Sequence, residues 1–186
     1  MTARGTSPQH QASAVGRRLR ELRETRGLSL SELARVAGVG KATLSGLENG
    51  TRDPRLETLY AIAAALGVPL SALTLDRGAP ASAASPVRGD AVVSTLLAVF
   101  EEPAATYELL TVRIVVGAEQ VSPAHPAGVT EYLTVFRGHA RVGPVGAPLS
   151  AGPGEHVAWA ADTPHVYAAA GPDDVEASLL IRTPRR

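Results

Sequence analysis

The chain has 186 residues, of which 45% are hydrophobic and 19% are charged, and this balance predicts a globular protein of one large or two small domains. It contains no cysteine, which excludes disulfides and thiolate metal sites. There is no run of 18 apolar residues and no apolar stretch at the N-terminus, so we expect neither a membrane span nor secretion, and hence a cytoplasmic protein.

Positive charge lies mainly in the N-terminal half of the chain. Residues 1–78 carry 11 Arg and Lys against 7 Asp and Glu, and residues 79–186 carry 7 against 11, although the whole chain has a net charge of zero. A basic N-terminal half suits a polyanionic partner, whereas an acidic C-terminal half does not. We therefore expect any such partner to bind the first half.

Helical patterning begins after a polar segment at residues 1–13, which we expect to be a disordered arm, and it defines a domain at residues 14–74. A domain of about five helices is expected, and its amphipathic stretches predict helices at residues 14–25, 29–37, 41–48 and 56–66. Ser29 and Glu32 have the spacing of a capping box at the start of the second helix. Gly38 stands where the chain must turn tightly with a positive φ.

Two short helices around a glycine turn are typical of a helix-turn-helix, which places its second helix in the DNA major groove. On the outward face of that helix, Lys41 can donate to guanine or phosphate and Ala42 can contact a thymine methyl group. Arg52, in the following loop, is better placed for phosphate. Few of the side chains on this face can reach base edges, so we expect DNA shape and half-site spacing to contribute to specificity. The residues predicted to contact DNA are Ser29, Lys41, Ala42, Thr43, Ser45, Gly46, Asn49 and Arg52.

A helix pair of this kind also occurs in domains that only pack or dimerise. The whole string from Val15 to Leu73, however, resembles the XRE (Cro/phage-repressor-like) helix-turn-helix family, including Leu-Glu-Asn-Gly after the third helix and Ala-Leu-Gly-Val after the last. The family often has Gln where Leu30 stands and Ser or Thr where Gly40 stands, so these departures weaken individual contacts. The resemblance implies a sequence-specific transcriptional regulator that binds a pseudo-palindromic operator as a homodimer.

The second half of the chain has a different pattern. Residues 75–89 are rich in Ala, Ser, Pro and Gly and predict a linker. Short apolar runs between Gly and Pro turns then predict an antiparallel barrel or sandwich at residues 90–183. The expected fold is a two-domain α + β chain, all-α and then all-β. The apolar runs lie at residues 92–100, 107–116, 131–136, 140–142, 156–159, 165–170 and 175–181.

Two fragments of this half, 125–138 and 154–169, resemble the two motifs of the cupin family, which implies a double-stranded β-helix barrel. An XRE domain joined to a cupin domain is a recurring architecture of bacterial regulators. The motif positions retained here are His125, Glu131, Gly138, Gly154 and His165, and those replaced are Ala127, Ala160, Asp162 and Ala169.

In cupins, three His and one Glu bind a metal, so the resemblance leaves His125, Glu131 and His165 as a candidate metal site that lacks one ligand. Strand parity places Glu131 on the apolar, inward face, where a carboxylate must be paired, protonated or metal-bound. Three interpretations stay open: a divalent metal site, a metal-free effector pocket formed by the same residues with Tyr167, and a purely structural barrel. Without the metal, no cofactor is expected.

No phosphate-binding glycine loop and no nucleophile elbow is present, so we expect a protein that is not an enzyme. His156 and Arg113 are expected at the surface. The predicted function is transcriptional repression by a dimer whose barrel binds a small effector. The alternatives are a DNA-binding scaffold whose barrel only dimerises and a metal-dependent cupin enzyme joined to a DNA-binding domain.

Overall fold

The computed structural model describes residues 8–74 and 86–185, with side chains from residue 14 onward. The helices of these ranges are α1 (Pro8–Thr25), α2 (Leu30–Ala37), α3 (Lys41–Glu48), α4 (Leu56–Leu66) and α5 (Ser71–Thr74). None of them is long and apolar enough to cross a membrane. The strands are β1 (Val87–Arg88), β2 (Val92–Glu101), β3 (Ala105–Ile114), β4 (Glu119–Ser122), β5 (Thr130–Arg137), β6 (Ala140–Pro144), β7 (Leu149–Ala151), β8 (His156–Ala160), β9 (His165–Ala169) and β10 (Val175–Pro184).

The helix-turn-helix follows the predicted boundaries. The Oγ of Ser29 accepts a hydrogen bond from the Glu32 amide at 3.2 Å, and the Glu32 carboxylate accepts one from the Ser29 amide at 2.8 Å, which confirms the capping box. Gly38 ends α2 with φ 64°, as predicted. The N-cap residue of α3, Gly40, makes no side-chain hydrogen bond to the helix. The start of α3 therefore depends on the packing of its apolar side rather than on a cap.

Helix α1 begins at Pro8, six residues before its predicted start at residue 14. The segment predicted as a disordered arm is thus helical from residue 8 onward, and residues 1–7 lie outside the described ranges. Proline suits the first helical position because its ring fixes φ and because an N–H there would have no helical partner. The start signal is therefore the proline rather than the first apolar residue.

A single apolar core holds the helical domain together, with α1 crossing α3 at very short range. A Cβ atom added at Gly16 would lie 2.1 Å from the carbonyl oxygen of Leu47, so only glycine allows this crossing. The fully buried side chains of this core include Leu19, Leu33, Leu44, Leu56, Leu59, Ile62 and Leu73.

The C-terminal half, called the β domain below, consists of two antiparallel sheets. The strand order is β1-β2-β3-β10-β5-β8 in the six-stranded sheet and β4-β9-β6-β7 in the four-stranded sheet. Pairing among the described strands does not join the two sheets, so the expected cupin-like barrel is an open, two-sheet form of that fold. The two-domain α + β architecture is confirmed.

All seven apolar runs correspond to strands, whereas β1, β4 and β7 were not predicted. Strand β1 occupies the end of the predicted linker, and residues 75–85 of that linker lie outside the described ranges. The three missed strands have two, four and three residues, which is too short for a periodic pattern to stand out.

The helical domain and the β domain share one contiguous cluster of buried apolar side chains. Helices α4 and α5 lie against the β domain at this seam, where the Ser71 amide of α5 donates a hydrogen bond to the Glu108 carboxylate of β3 at 2.5 Å. At the start of α4, Glu57 accepts a hydrogen bond from the Asp90 amide at 2.8 Å. The contact therefore combines apolar packing with polar bonds at the starts of α4 and α5.

Candidate functional site

Helix α3 presents a polar face to solvent. Lys41 and Ala42 are exposed, and Thr43 and Ser45 are partly exposed. Ammonium, hydroxyl and methyl groups within the first turns of one helix match the donor, acceptor and methyl pattern of the DNA major groove. The structure therefore places four of the predicted contact residues on the surface of one helix.

Gly46 does not belong to this face, contrary to the prediction. It is buried, because the amides of Thr51 and Arg52 both donate to its carbonyl oxygen, at 2.9 and 3.3 Å, and fold the next loop back over the helix. A Cβ atom at Gly46 would lie 2.9 Å from the Arg52 side chain. The glycine thus makes room for Arg52 instead of approaching a partner itself.

Arg52 joins the face of α3 as a result. Its Nη1 donates to the Thr43 hydroxyl at 3.4 Å, and the Asn49 amide nitrogen donates to the Ser45 hydroxyl at 3.4 Å. Ser29, which is exposed, lies one helix away at the capped start of α2. These contacts arrange Thr43, Ser45, Asn49 and Arg52 as two hydrogen-bonded pairs on one surface.

A cluster of two histidines and one carboxylate lies between the two sheets. Glu131 is on β5 of the six-stranded sheet, His165 is on β9 of the four-stranded sheet, and His125 precedes β5. The Nε2 of His125 lies 2.9 Å from Glu131 Oε1, and the Nε2 of His165 lies 3.5 Å from the same oxygen. The three ligand atoms lie within 4.8 Å of one another. The side chains of His125, Glu131 and His165 are 7%, 0% and 0% exposed.

Hydrogen bonds with neighbouring groups fix the orientation of this cluster. The Tyr167 hydroxyl donates to Glu131 Oε2. The Nδ1 of His165 lies 2.9 Å from the Thr163 carbonyl, and because a carbonyl only accepts, the proton belongs on Nδ1. The buried Nε2 then has no hydrogen-bond partner among the described residues. A lone pair facing a carboxylate requires a cation or a proton between them, so the donor set fits a divalent metal.

The charges of the cluster depend on one another. Burial alone would raise the pKa of Glu131, but the adjacent imidazoles of His125 and His165 outweigh it, so the net pKa is lowered. Burial lowers the pKa of His165, but the adjacent Glu131 carboxylate raises it above its ordinary value. Burial and the Glu131 charge raise the pKa of Tyr167. Glu131 is therefore the anion of the cluster, and His165 takes up a proton readily when no other cation is there.

Two residues near this cluster were missed by the sequence analysis. The ring of Tyr60, on α4, meets the ring of His125 edge-on at a centroid distance of 4.8 Å. Glu108, on β3, is 2% exposed and shares the inward parity of Leu110 and Val112. That parity is the same signal that singled out Glu131. Tyr60 gave no such signal, because its contact with His125 depends on how the two domains dock.

The two residues expected at the surface are there. Arg113 is exposed and donates to Asp174 at 2.8 Å. His156 is exposed and its Nδ1 lies 3.0 Å from the Thr134 hydroxyl. Neither residue contributes to the cluster between the sheets.

The buried carboxyl of Glu108 makes the stability of the fold depend on pH. Burial raises its pKa above the ordinary value, although the hydrogen bond from the Ser71 amide opposes the change. The pKa of Glu108 is therefore higher in the folded chain than in the unfolded chain. The stability that the protonated carboxyl contributes is complete below about pH 4.3 and is lost as the pH rises through the folded pKa.

We therefore expect Glu108→Gln, which keeps an acceptor oxygen for Ser71, to remove this loss. The free energy of unfolding of the variant, relative to wild type, should increase between pH 4 and pH 8, by about 1.4 kcal/mol for each unit of displaced pKa. Urea denaturation at several pH values measures the difference. A difference that does not change with pH would show that Glu108 titrates as an ordinary surface carboxyl.

Comparisons with known proteins agree with this arrangement of two domains. The HTH_3 helix-turn-helix family model matches residues 19–73. The HTH-type transcriptional regulator SutR of Escherichia coli (strain K12) is 33% identical over 168 residues, which cover 90% of this chain and 93% of that protein. The cryptic phage CTXphi transcriptional repressor RstR of Vibrio cholerae is 42% identical over 59 residues, which cover 32% of this chain and 53% of that protein.

A crystal structure extends the similarity to both domains. An HTH_3 family transcriptional regulator from Vibrio cholerae superposes with a TM-score of 0.82 at 27% identity, covering 96% of this chain and 100% of that chain. Similarity over nearly the whole of both chains includes the position of the helices relative to the sheets. The chain therefore belongs to the XRE-type (HTH_3) family of helix-turn-helix transcriptional regulators, and its C-terminal domain has a cupin-like fold.

Proposed function

We propose that the protein is a cytoplasmic repressor that binds a pseudo-palindromic operator as a homodimer. The observation that carries this proposal is the exposed face of α3, on which Lys41 and Ala42 stand beside the Thr43–Arg52 pair. The similarity to a phage repressor across the helical domain supports repression as the mode of action. Two copies of α3 on one face of the duplex would be separated by one helical turn, about 34 Å.

Each residue of the face has a distinct role in this proposal. Lys41 donates to guanine, Ala42 contacts a thymine methyl group, and Ser45 accepts or donates according to the base. Arg52 and Asn49, at the end of the helix, bind phosphate and fix the register. Few side chains reach base edges, so the shape of the DNA and the spacing of half-sites contribute the rest of the specificity.

Lys41→Ala tests the role of the face directly. On an operator recovered by selection from random duplexes, the loss of a guanine contact should weaken binding by about 1–3 kcal/mol, which is roughly a 5- to 150-fold rise in Kd. Fluorescence anisotropy with the operator and with a scrambled duplex at fixed salt gives both affinities. Arg137→Ala, which removes an exposed charge from the β domain, is the matched control and should change neither.

The two affinities separate the outcomes. An equal loss on operator and scrambled duplex would assign Lys41 to a phosphate. No loss on either duplex would remove α3 from the interface and contradict the proposal.

For the β domain, we propose a regulatory site rather than a catalytic one, because the relative that spans nearly the whole chain is a transcriptional regulator. His125, Glu131 and His165 would hold a divalent metal, or anchor a small effector with Tyr167. The partnerless Nε2 of His165 supports the metal. A ligand here changes DNA affinity only if it binds one of two domain arrangements more tightly than the other.

Metal content distinguishes the two ligands. Elemental mass spectrometry of full-length protein, purified without chelator, should find about one Fe, Zn, Mn or Ni per chain, because two imidazoles and a carboxylate suit these ions. His165→Ala should lose the metal, and His139→Ala, which removes an exposed histidine, should keep it. Wild-type protein without metal would leave the organic effector as the ligand of the site.

A further inference from the structure

The His125 side of the cluster formed by His125, Glu131 and His165 lies under the helical domain. Tyr60 of α4 packs its ring edge against His125 at 4.8 Å and is itself only 7% exposed. His125 and Glu131 are 7% and 0% exposed. The closest ring to this side of the cluster therefore comes from the DNA-binding domain and not from a loop of the β domain.

The seam leaves very little free space. A cavity of about 20 Å³ lies between the domains, and half of its lining residues, including Tyr60 and Leu70, belong to the helical domain. Glu108 and His125 line the opposite side. This volume accommodates one water molecule, whereas pockets for organic ligands usually have several hundred Å³. An organic effector therefore has no room in this cavity.

The seam is also closed by a bond that can open at low cost. Glu108 is buried and accepts the Ser71 amide at 2.5 Å, which ties α5 to β3. A buried carboxylate loses hydration, and it regains that hydration when the domains separate. This gain offsets the lost hydrogen bond. The contact therefore holds the domains together without making their separation prohibitive.

Movement of α4 has to be shared by α3, the helix proposed to contact DNA. Helix α4 packs along α2 and α2 packs along α3, whereas α4 and α5 make only sparse contacts with the strands of the β domain. Close-packed cores move as rigid units rather than by continuous deformation. The Vibrio cholerae crystal structure has the same arrangement of helices and sheets, which supports it as a preferred state of such chains.

From these contacts we propose that the DNA-binding domain is the lid of its own sensor site. Ligands larger than a water molecule or a bare metal ion reach His125, Glu131 and His165 only after α4 and α5 move away from the β domain. This movement breaks the contact between Tyr60 and His125 and the hydrogen bond from Ser71 to Glu108. The same displacement moves α3. The covering of the site by the helical domain does not depend on DNA binding, whereas the effect of its movement on repression rests on the function proposed above.

Chemical modification of histidine tests the lid in the full-length protein. Diethyl pyrocarbonate should modify His125 about tenfold or more slowly than the exposed His139 and His156, because only the open fraction reacts. Tyr60→Ala should raise the His125 rate about tenfold, and Tyr60→Phe, which keeps the ring, should not. Peptide mass spectrometry reads each site. Equal rates at His125 and His156 in the wild type would overturn the lid.

A second pair of variants avoids any change at the cluster's own contacts. Glu108→Ala, which leaves the Ser71 amide without its acceptor, should accelerate modification of His125, whereas Glu108→Gln, which keeps the acceptor and removes the buried charge, should not accelerate it. Thermal unfolding followed by circular dichroism confirms that each variant is folded. If His125 reacts at the wild-type rate in folded Glu108→Ala and folded Tyr60→Ala, the helices do not control access and the proposal fails.

Domain movement is measured separately. The chain has no native cysteine, so spin labels attach only at Ala42→Cys on α3 and Ser150→Cys, an exposed position on β7. Pulsed EPR should give one narrow distance distribution, and Glu108→Ala should broaden it or shift it to longer distances. Faster modification with an unchanged distance would overturn the movement of α3. A missing operator would instead contradict only the proposed function, since neither measurement contains DNA.

Discussion

Gly16→Ala should destabilise the helical domain by about 3 kcal/mol, the upper part of the range for overpacked cores. The added methyl carbon would lie 2.1 Å from the Leu47 carbonyl oxygen and 3.1 Å from its carbonyl carbon, and backbone atoms cannot rotate away as a side chain can. Helices α1 and α3 therefore have to separate. In an unobstructed helix the same substitution would stabilise by about 1 kcal/mol, so the sign of the effect is itself diagnostic.

Urea denaturation of full-length protein measures this change, and operator binding should fall with the folded fraction of the helical domain. Gly146→Ala is the matched control, because a Cβ atom there meets nothing within 4 Å and the backbone has no positive φ. An unchanged or higher stability for Gly16→Ala would contradict the close crossing of α1 and α3.

The second large effect is expected at an ion pair inside the helical domain. Arg23 on α1 donates to Glu48 on α3 through Nε at 2.6 Å and Nη2 at 2.9 Å, and the two side chains are only 11% and 6% exposed. Glu48→Ala would leave the buried guanidinium with only the exposed carboxylate of Glu24, 3.4 Å from Nη2, as an anionic neighbour. Breaking such a pair from one side costs about 3–5 kcal/mol. The free energy of unfolding should fall by an amount in this range.

Two further variants separate the pair from a simple loss of charge. Arg20→Ala removes one partner of an exposed pair with Glu24 and should cost less than about 1 kcal/mol. The double variant Arg23→Met, Glu48→Met should recover much of the lost stability, because it removes both charges from the interior. If Glu48→Ala costs no more than Arg20→Ala, the Arg23–Glu48 bond is solvated in solution and does not hold α1 against α3.

The helical domain was largely predictable because local signals there agree with the tertiary fold. Ser29 and Glu32 set the start of α2, Gly38 sets its end, and the apolar stripe of α4 runs to Gly67, which ends the helix with φ 63°. The start of α1 was misplaced because residues 8–13 are polar, so the apolar period gives no sign of the helix there. Propensity and the proline at residue 8 provide the only local signal.

The position of Gly46 could not be derived from helix spacing alone. Spacing assigns an angle around the α3 axis, but the loop that returns over the helix decides what is exposed, and Arg52 covers the glycine. The bond between Arg23 and Glu48 is similar, because it joins side chains 25 residues apart that any helical wheel would place among surface charges. Both are tertiary effects that a local pattern does not encode.

The cluster between the sheets was found because strand parity turned Glu131 inward and the cupin motifs supplied its partners. Glu108 has the same parity on β3, but no motif pointed to it. Tyr60 could not be assigned to the cluster from the sequence, because its contact with His125 depends on how the two domains dock. The sequence therefore predicts the ligand set better than the structure that encloses it.

Selection of DNA by the full-length protein is the most direct test that this chain reads operator sequence through α3. Random duplexes should be bound and sequenced after several rounds at a fixed salt concentration, in parallel with Ala42→Glu, which places a carboxylate on the exposed face of α3. We expect the wild type to enrich an inverted repeat with half-sites about 34 Å apart, and Ala42→Glu to enrich none. Recovery of no shared sequence by the wild type, or of the same sequence by Ala42→Glu, would contradict recognition of DNA by this helix.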